Sequence, residues 1–435
     1  MKFDRRDVVI ACLIFLAALW VNANAVATTI PHRDEGRWIG RANFLGALRD
    51  PLGAFWQSGE VMWGQPPLGS YLMGVGLLAQ GQDLKTNDLP DFHYSDAWNA
   101  RHGAAPSEKD LAAARRTDSV VGALLAVCVY LIARALGNRV AGVAAALLLI
   151  PHPLSIYLFS LADSDALLTL LLALATLAAM ALADRPTWPR AILLGVLLGL
   201  GASAKLSPLA LAIPLAALGA YFVLVGLWRR RTTDIRRMAL GWRLLTLPPV
   251  ALVAFIVSYP YFWPNPIGRV RDLFAFREQE MTNQGRIWPA LRVGGPGDAI
   301  ARIGNWLGTV DSTSGSAAAG IAARLGHPWH PVGIDLLLGL IGAEVLVFLV
   351  FRHGLASRWG LAAAMLFGSV GLIVVGMRAD FERYMLPVVV TVAVCGGLAV
   401  GQAWTFARAA VARRAARQAA AEPVAVEAPG QIAPV

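Results

Sequence analysis

The sequence predicts an all-α, polytopic membrane protein with about ten transmembrane helices and further juxtamembrane helices in its first outer loop. Three observations carry that expectation. Of 435 residues, 57% are hydrophobic and only 15% are charged, where a soluble domain has about a quarter charged. The mean hydropathy is +0.55. Runs of about twenty apolar residues recur along the chain, and they are continuous rather than alternating, which suits helices and not a β-barrel.

The formal net charge is +10. The basic residues lie in short loops and in the tail, where they set topology and meet anionic lipid, so no nucleic-acid partner is expected. Cys12, Cys128 and Cys395 all fall inside apolar runs and form neither a disulfide framework nor a zinc spacing.

The first span is Val8–Thr28. Ala23-Asn24-Ala25 resembles a signal cleavage site, but the apolar character outlasts an ordinary signal core, so the span is read as retained. Lys2, Arg5 and Arg6 place the N-terminus in the cytoplasm. Gly40–Ser58 alternates Phe44, Leu45, Leu48, Leu52, Phe55 and Trp56 with Arg41, Asn43, Arg49 and Asp50, as a helix lying in the interface would. Pro66–Gln80 is apolar but short. If it crossed, the basic cluster Arg229–Arg243 would fall outside, so it is read as an outer juxtamembrane or re-entrant helix.

The later spans are Ser119–Leu136, Val140–Leu158, Ala166–Ala183, Ala191–Ala204, Leu206–Trp228, Leu244–Phe262, Val332–Phe351, Gly360–Met377 and Met385–Ala407. This parity puts His32–Trp38, Ala162–Asp165, Ala204–Pro208, Pro264–Pro331 and Arg378–Arg383 together on the outer face, with the basic tail inside.

Chemistry concentrates on that face. Asp34 and Glu35 follow the first span directly. Adjacent residues diverge by about 100° on a helix, so one can act as a general base while the other binds a metal or orients an arginine. Equally, Asp34 can cap the helix that follows, with Glu35 at its positive end. Asp163 and Asp165 flank Ser164 before an apolar run; the spacing suits a divalent metal or a sugar phosphate, and it also suits a helix cap. Lys205 lies between two apolar spans, placed to meet a phosphate or to snorkel. Arg378, Arg383 and Tyr384 open the last span, where arginine forks suit phosphate oxygens or anchor the interface beside Asp380 and Glu382. His327 and His330 sit among prolines and read as a structural loop, and Tyr259–Trp263 reads as an interfacial aromatic belt.

The motifs also come in a telling order. The acidic pair is followed by GQPPLGSYLMG, AARRTDSVVGALLAVCVYLIARALG, LADSDALLTLLLALA, GVLLGLGASAKLSP and, late, ERYMLP. The order resembles that of the type C membrane glycosyltransferases, in particular the protein O-mannosyltransferase and aminoarabinose transferase branch. The likeness runs over Val8–Leu227 and returns at Arg378–Pro387. It implies a sugar transferred from a polyprenyl-phosphate donor to a protein, lipid or polysaccharide acceptor on the extracytoplasmic face of the bacterial inner membrane.

By the same resemblance Asp34, with Glu35 beside it, matches the base or acceptor-positioning residue. Asp165, and less closely Asp163, matches the aspartate of the second outer loop. Lys205, Arg383 and Tyr384 match groups that meet the donor phosphate. The resemblance divides the chain into a catalytic transmembrane module at 1–228 with an outer loop at 29–118, a second transmembrane module at 229–407 with an outer loop at 264–331, and a disordered basic tail at 408–435. One departure is Gln65, where the family often has His or Lys before Pro-Pro. A divalent metal at Asp34 and Asp165 is compatible with this chemistry but not required, since cationic side chains can play its part. The competing reading is a transporter or lipid flippase, which would favour inverted repeats and charges at mid-membrane; the sequence has neither.

Overall fold

The computed structural model describes residues 3–62, 66–229, 235–308 and 333–421. Gln65, His327 and His330 and the end of the tail, from 422, lie outside the described residues. Within them the chain is helical, and the one extended pairing is an isolated bridge between Arg292 and Ala379.

Among the described residues, eight helices are long and apolar enough to cross a membrane. They are α1 (Arg5–Val26), α6 (Glu108–Leu136), α9 (Asp165–Asp184), α11 (Ser207–Arg229), the α12–α13 pair (Ile235–Leu245 and Leu247–Val257), α16 (Ile334–His353), α17 (Arg358–Gly376) and α18 (Leu386–Ala421). The all-α, multi-pass architecture is as expected, but a count of about ten is not reached.

The reasons are local. The expected span Val140–Leu158 is broken into α7 (Arg139–Leu149) and α8 (Pro153–Phe159), bent by 70°. Pro151 and Pro153 cannot continue the ladder of backbone hydrogen bonds. His152 caps the new helix, its Nδ1 accepting from the Leu154 amide at 3.2 Å. Counted as one crossing, the pair makes nine. The expected span Ala191–Ala204 lies in α10 (Trp188–Ala204), which has 17 residues. At about 1.5 Å per residue that is about 25 Å, the lower limit for a crossing, yet it brings Lys205 back to Asp165 at the start of α9.

Other boundaries move as well. The span expected at Leu244–Phe262 starts earlier, at Ile235, and gives way to a short 3-10 turn at Pro260–Phe262. The last helix runs on to Ala421, past the expected end at Ala407. The interfacial helix expected over Gly40–Ser58 is broken up. Instead α2 (Arg33–Gly40) and α3 (Asn43–Ala47) are followed by two 3-10 turns, and α4 (Leu68–Ala79) packs beside them. At 12 residues α4 is too short to cross.

The aromatic belt is also misplaced. Tyr259, Tyr261 and Phe262 are buried with Phe44, Trp56 and Phe255, and only Trp263 is substantially exposed.

Two features fix the bundle. At one end Asp7, almost fully buried, accepts from Tyr130, Arg134 and Arg139 at 2.9–3.0 Å, and Asp184 pairs with Arg358 at 3.0 Å. Along the bundle α18 lies against α7 and α16 through small residues. A Cβ at Gly342 would run into the Cys395 carbonyl, and one at Gly397 or Gly401 would run into Ala141. Gly397 and Gly401 form a GxxxG spacing, which lets helix backbones approach closely in lipid.

Candidate active site

The site is built at the other end of the bundle, where α1, α9, α10 and α18 begin or end. A buried ion pair sets its frame. Arg115, in the first turns of α6, donates from Nε and Nη2 to both Glu35 oxygens at 2.7 and 2.8 Å. Its Nη1 donates to the Val26 and Thr29 carbonyls at the end of α1. Glu35 also accepts from the His32 amide at 2.8 Å and from the Ala162 amide at 2.9 Å. One pair thus ties together α1, α2, α6 and the loop before α9. The cap of α2 is His32, whose Nδ1 accepts from the Asp34 amide, rather than Asp34 itself.

Glu35 is therefore occupied and nearly inaccessible, while its neighbour Asp34 turns the other way and pairs with Arg383. Burial pushes the Asp34 carboxyl up. Arg383, with His32 and Arg37 behind it, outweighs that and holds it below the usual carboxylate value.

Asp165 pairs with Lys205, which lies at the C-cap of α10. The Lys205 ammonium lies 5.6 Å from the centre of the Tyr384 ring, and the Arg383 guanidinium lies 6.0 Å from the same ring. Asp34, Asp165, Lys205, Arg383 and Tyr384 are thus gathered by two ion pairs and one shared aromatic ring.

Asp163 lies just behind them. Its Oδ1 accepts from the Asp165 amide at 2.7 Å, and its own amide donates to Asp118 Oδ2 at 2.7 Å. Burial, then the Asp165 charge, push the Asp163 carboxyl well up from its ordinary value.

Arg378 is not part of this group. Its side chain is exposed, and its carbonyl accepts from the Val293 amide. Asp380 pairs with Arg302 and Trp306 instead, at 2.9 and 2.8 Å. As for a metal, both carboxylates face a cationic side chain, and among the described residues no three His, Cys, Asp or Glu converge on one point.

Four site residues were not singled out from sequence: Arg115, Asp118, Arg37 and Arg41. Arg115 and Asp118 stand at i and i+3 ahead of an apolar run, a spacing that puts both on one helix face. Arg33, Arg37 and Arg41 recur every four residues, likewise one face. Arg41 was expected on the polar side of an interfacial helix, yet it is 1% exposed. Its guanidinium lies over the Phe44 ring at 4.4 Å and has no hydrogen-bond partner among the described residues. Burial lowers it to about 10, so it remains charged at neutral pH.

Comparison with known proteins agrees with this architecture. A family model described as dolichyl-phosphate-mannose-protein mannosyltransferase matches residues 97–259. That stretch carries Asp118, Asp163, Asp165 and Lys205. The oligosaccharyltransferase of Archaeoglobus fulgidus, solved with zinc and sulfate, superposes with a TM-score of 0.53 at 15% identity, covering 94% of this chain. The fold is that of the type C membrane glycosyltransferases.

The archaeal oligosaccharyltransferase AglB from Archaeoglobus fulgidus, with an inhibitory peptide and a dolichol-phosphate, gives a TM-score of 0.50 at 14% identity over 99% of the chain. ArnT from Cupriavidus metallidurans, bound to undecaprenyl phosphate, is similar at a TM-score of 0.46 and 16% identity, over 98% of this chain and 65% of its own. The present chain spans about half the length of these two oligosaccharyltransferase chains, 51% and 53%. No curated protein matches it in sequence. The resemblance read from the order of the motifs is thereby borne out at the level of the type C superfamily.

Proposed function

We propose that the protein transfers a sugar from a polyprenyl-phosphate donor to an acceptor at the extracytoplasmic face of the bacterial inner membrane, with both termini cytoplasmic. One observation carries the reading. Asp34 and Asp165, far apart in sequence, enter a single site in which each faces a cation and both cations share Tyr384. The matching family model and the lipid phosphates named for the type C structures support a lipid-linked donor.

In this mechanism Asp34 Oδ accepts the proton of the acceptor hydroxyl. The acceptor oxygen bonds to the anomeric carbon, and the bond from that carbon to the phosphate oxygen breaks. The electron pair leaves with polyprenyl phosphate. Lys205 and Arg383 stabilise the charge that grows on the departing phosphate, and Tyr384 positions them. Asp165 holds Lys205 in place, and Asp163 holds the backbone of Asp165.

A carboxylate paired with arginine is a weak base. A donor phosphate that draws Arg383 onto its own oxygens would free Asp34 and raise its basicity, so donor binding would prime the base. Glu35 serves the frame rather than the chemistry, because all its contacts are structural. The transport reading gains no support: the buried ion pairs lie at the two ends of the bundle rather than at its middle.

The test is Asp34→Asn in the purified chain, assayed with radiolabelled polyprenyl-phosphate sugar. Transfer should fall by about 10²–10⁴-fold while the melting temperature is kept. Unchanged transfer would remove Asp34 from the reaction.

A further inference from the structure

Arg41 and Arg37 are not used by this mechanism. Arg41 is buried and has no hydrogen-bond partner among the described residues; its guanidinium lies over Phe44 and, at 5.9 Å, Trp38, with Tyr71 and Tyr259 also acting on it. Cation–π contacts offset a desolvated charge only in part, and a buried charge stays costly unless it is paired. Five N–H donors are left over.

Arg37, one turn earlier on the same face, lies over the Phe92 ring at 4.1 Å and makes no ion pair among the described residues, although Asp34 and Glu280 act on it through space. Arg277, paired with Glu280, acts on both arginines. Lys205 and Arg383, by contrast, are each already matched by a carboxylate. The unmatched positive charge at this end of the bundle is therefore on Arg37, on which Asp34 acts through space, and on Arg41, one turn further along the same face.

We propose that Arg41 and Arg37 form a second anion pole of the pocket, which takes a phosphate group of a lipid-linked substrate separately from the Lys205–Arg383 pole. Given the transferase reading, the phosphate belongs either to the donor or to an acidic acceptor. An incoming dianion would supply the pairing that Arg41 lacks and would shield Arg37 and Arg277 from each other.

The test is a binding experiment that needs no turnover, so it stands even where transfer is not observed. The full chain in nanodiscs is titrated with a polyprenyl phosphate, and then, with that lipid saturating, with inorganic phosphate, using the melting temperature as the readout. Wild type, Arg41→Gln, Arg41→Lys and Lys205→Gln are compared.

Arg41→Gln should weaken one of the two ligands at least tenfold, and Arg41→Lys should restore most of it. Loss of the lipid response assigns the pole to the donor. Loss of the inorganic phosphate response alone, with Lys205→Gln losing the lipid instead, assigns it to an acidic acceptor. The proposal is overturned if Arg41→Gln binds both ligands as wild type does. It is equally overturned if Arg41→Lys fails as badly as Arg41→Gln, since the side chain would then matter only for packing.

Discussion

Asp34 and Asp163 show how neighbouring carboxyls are driven in opposite directions. Arg383 holds Asp34 below the usual carboxylate range, so its basic form is present at neutral pH and is lost only as pH falls through that depressed value. The kcat/KM of transfer should stay level from pH 7 down to about pH 5 on its account, and Arg383→Gln should move the acid limb upward. Asp163 carries the reverse sign. Its raised value means that its contribution to stability is complete at low pH and is lost as pH rises above the ordinary carboxylate range. Asp163→Asn keeps the acceptor for the Asp165 amide, so melting curves of that variant should fall less than wild type as pH rises above the ordinary carboxylate range. The sequence marked all of these residues because charges beside apolar runs stand out. It did not mark which neighbour each would face. Glu35 and Asp34 are one residue apart, and only the distant Arg115 and Arg383 separate a strut from a candidate base.

At the scale of elements, the sequence was most legible where helices are long and uniformly apolar. It was least legible where two prolines break a span, as at Pro151–Pro153, or where an arginine that looks amphipathic is buried under aromatic rings, as Arg41 is. Hydropathy averages over such events, because neither a proline pair nor one guanidinium changes a twenty-residue mean. Small residues behave similarly. Gly342, Gly397 and Gly401 look like ordinary members of apolar helices, yet they set how close α18 comes to α16 and α7. Gly342→Leu would drive a side chain into the Cys395 backbone. It should destabilise the bundle by more than the roughly 1–3 kcal/mol typical of overpacking, read as a lower melting temperature in detergent. The Arg115–Glu35 pair gives a comparable element-level test. Glu35→Ala strands a buried guanidinium and should remove about 3–5 kcal/mol, with loss of protein abundance before any specific loss of turnover.

For the whole molecule, the ends of the bundle divide by charge. Arg134, Arg139 and Arg358 pair with Asp7 and Asp184 at one end, and the candidate site fills the other. A reporter fused near Asp91 should therefore read extracytoplasmic, on the same side as Asp34, and a cytoplasmic signal there would reverse the proposed orientation. The motif order anticipated this grouping, because the acidic pair, the second acidic loop, Lys205 and the late Arg-Tyr each arrive at one face by parity. Parity fixes the side, however, and not the distance across it.

The clamp made by Arg115 bears on how such a chain is assembled. Glu35 leaves the ribosome about eighty residues before Arg115, the guanidinium that holds both its oxygens in the finished fold. The carboxylate must therefore wait in water or at the lipid headgroups until α6 is inserted. A stalled nascent chain ending before Arg115 should leave residue 35 open to aqueous labelling, and one that includes α6 should close it. The pocket is thus completed by the order of membrane insertion as much as by the finished fold.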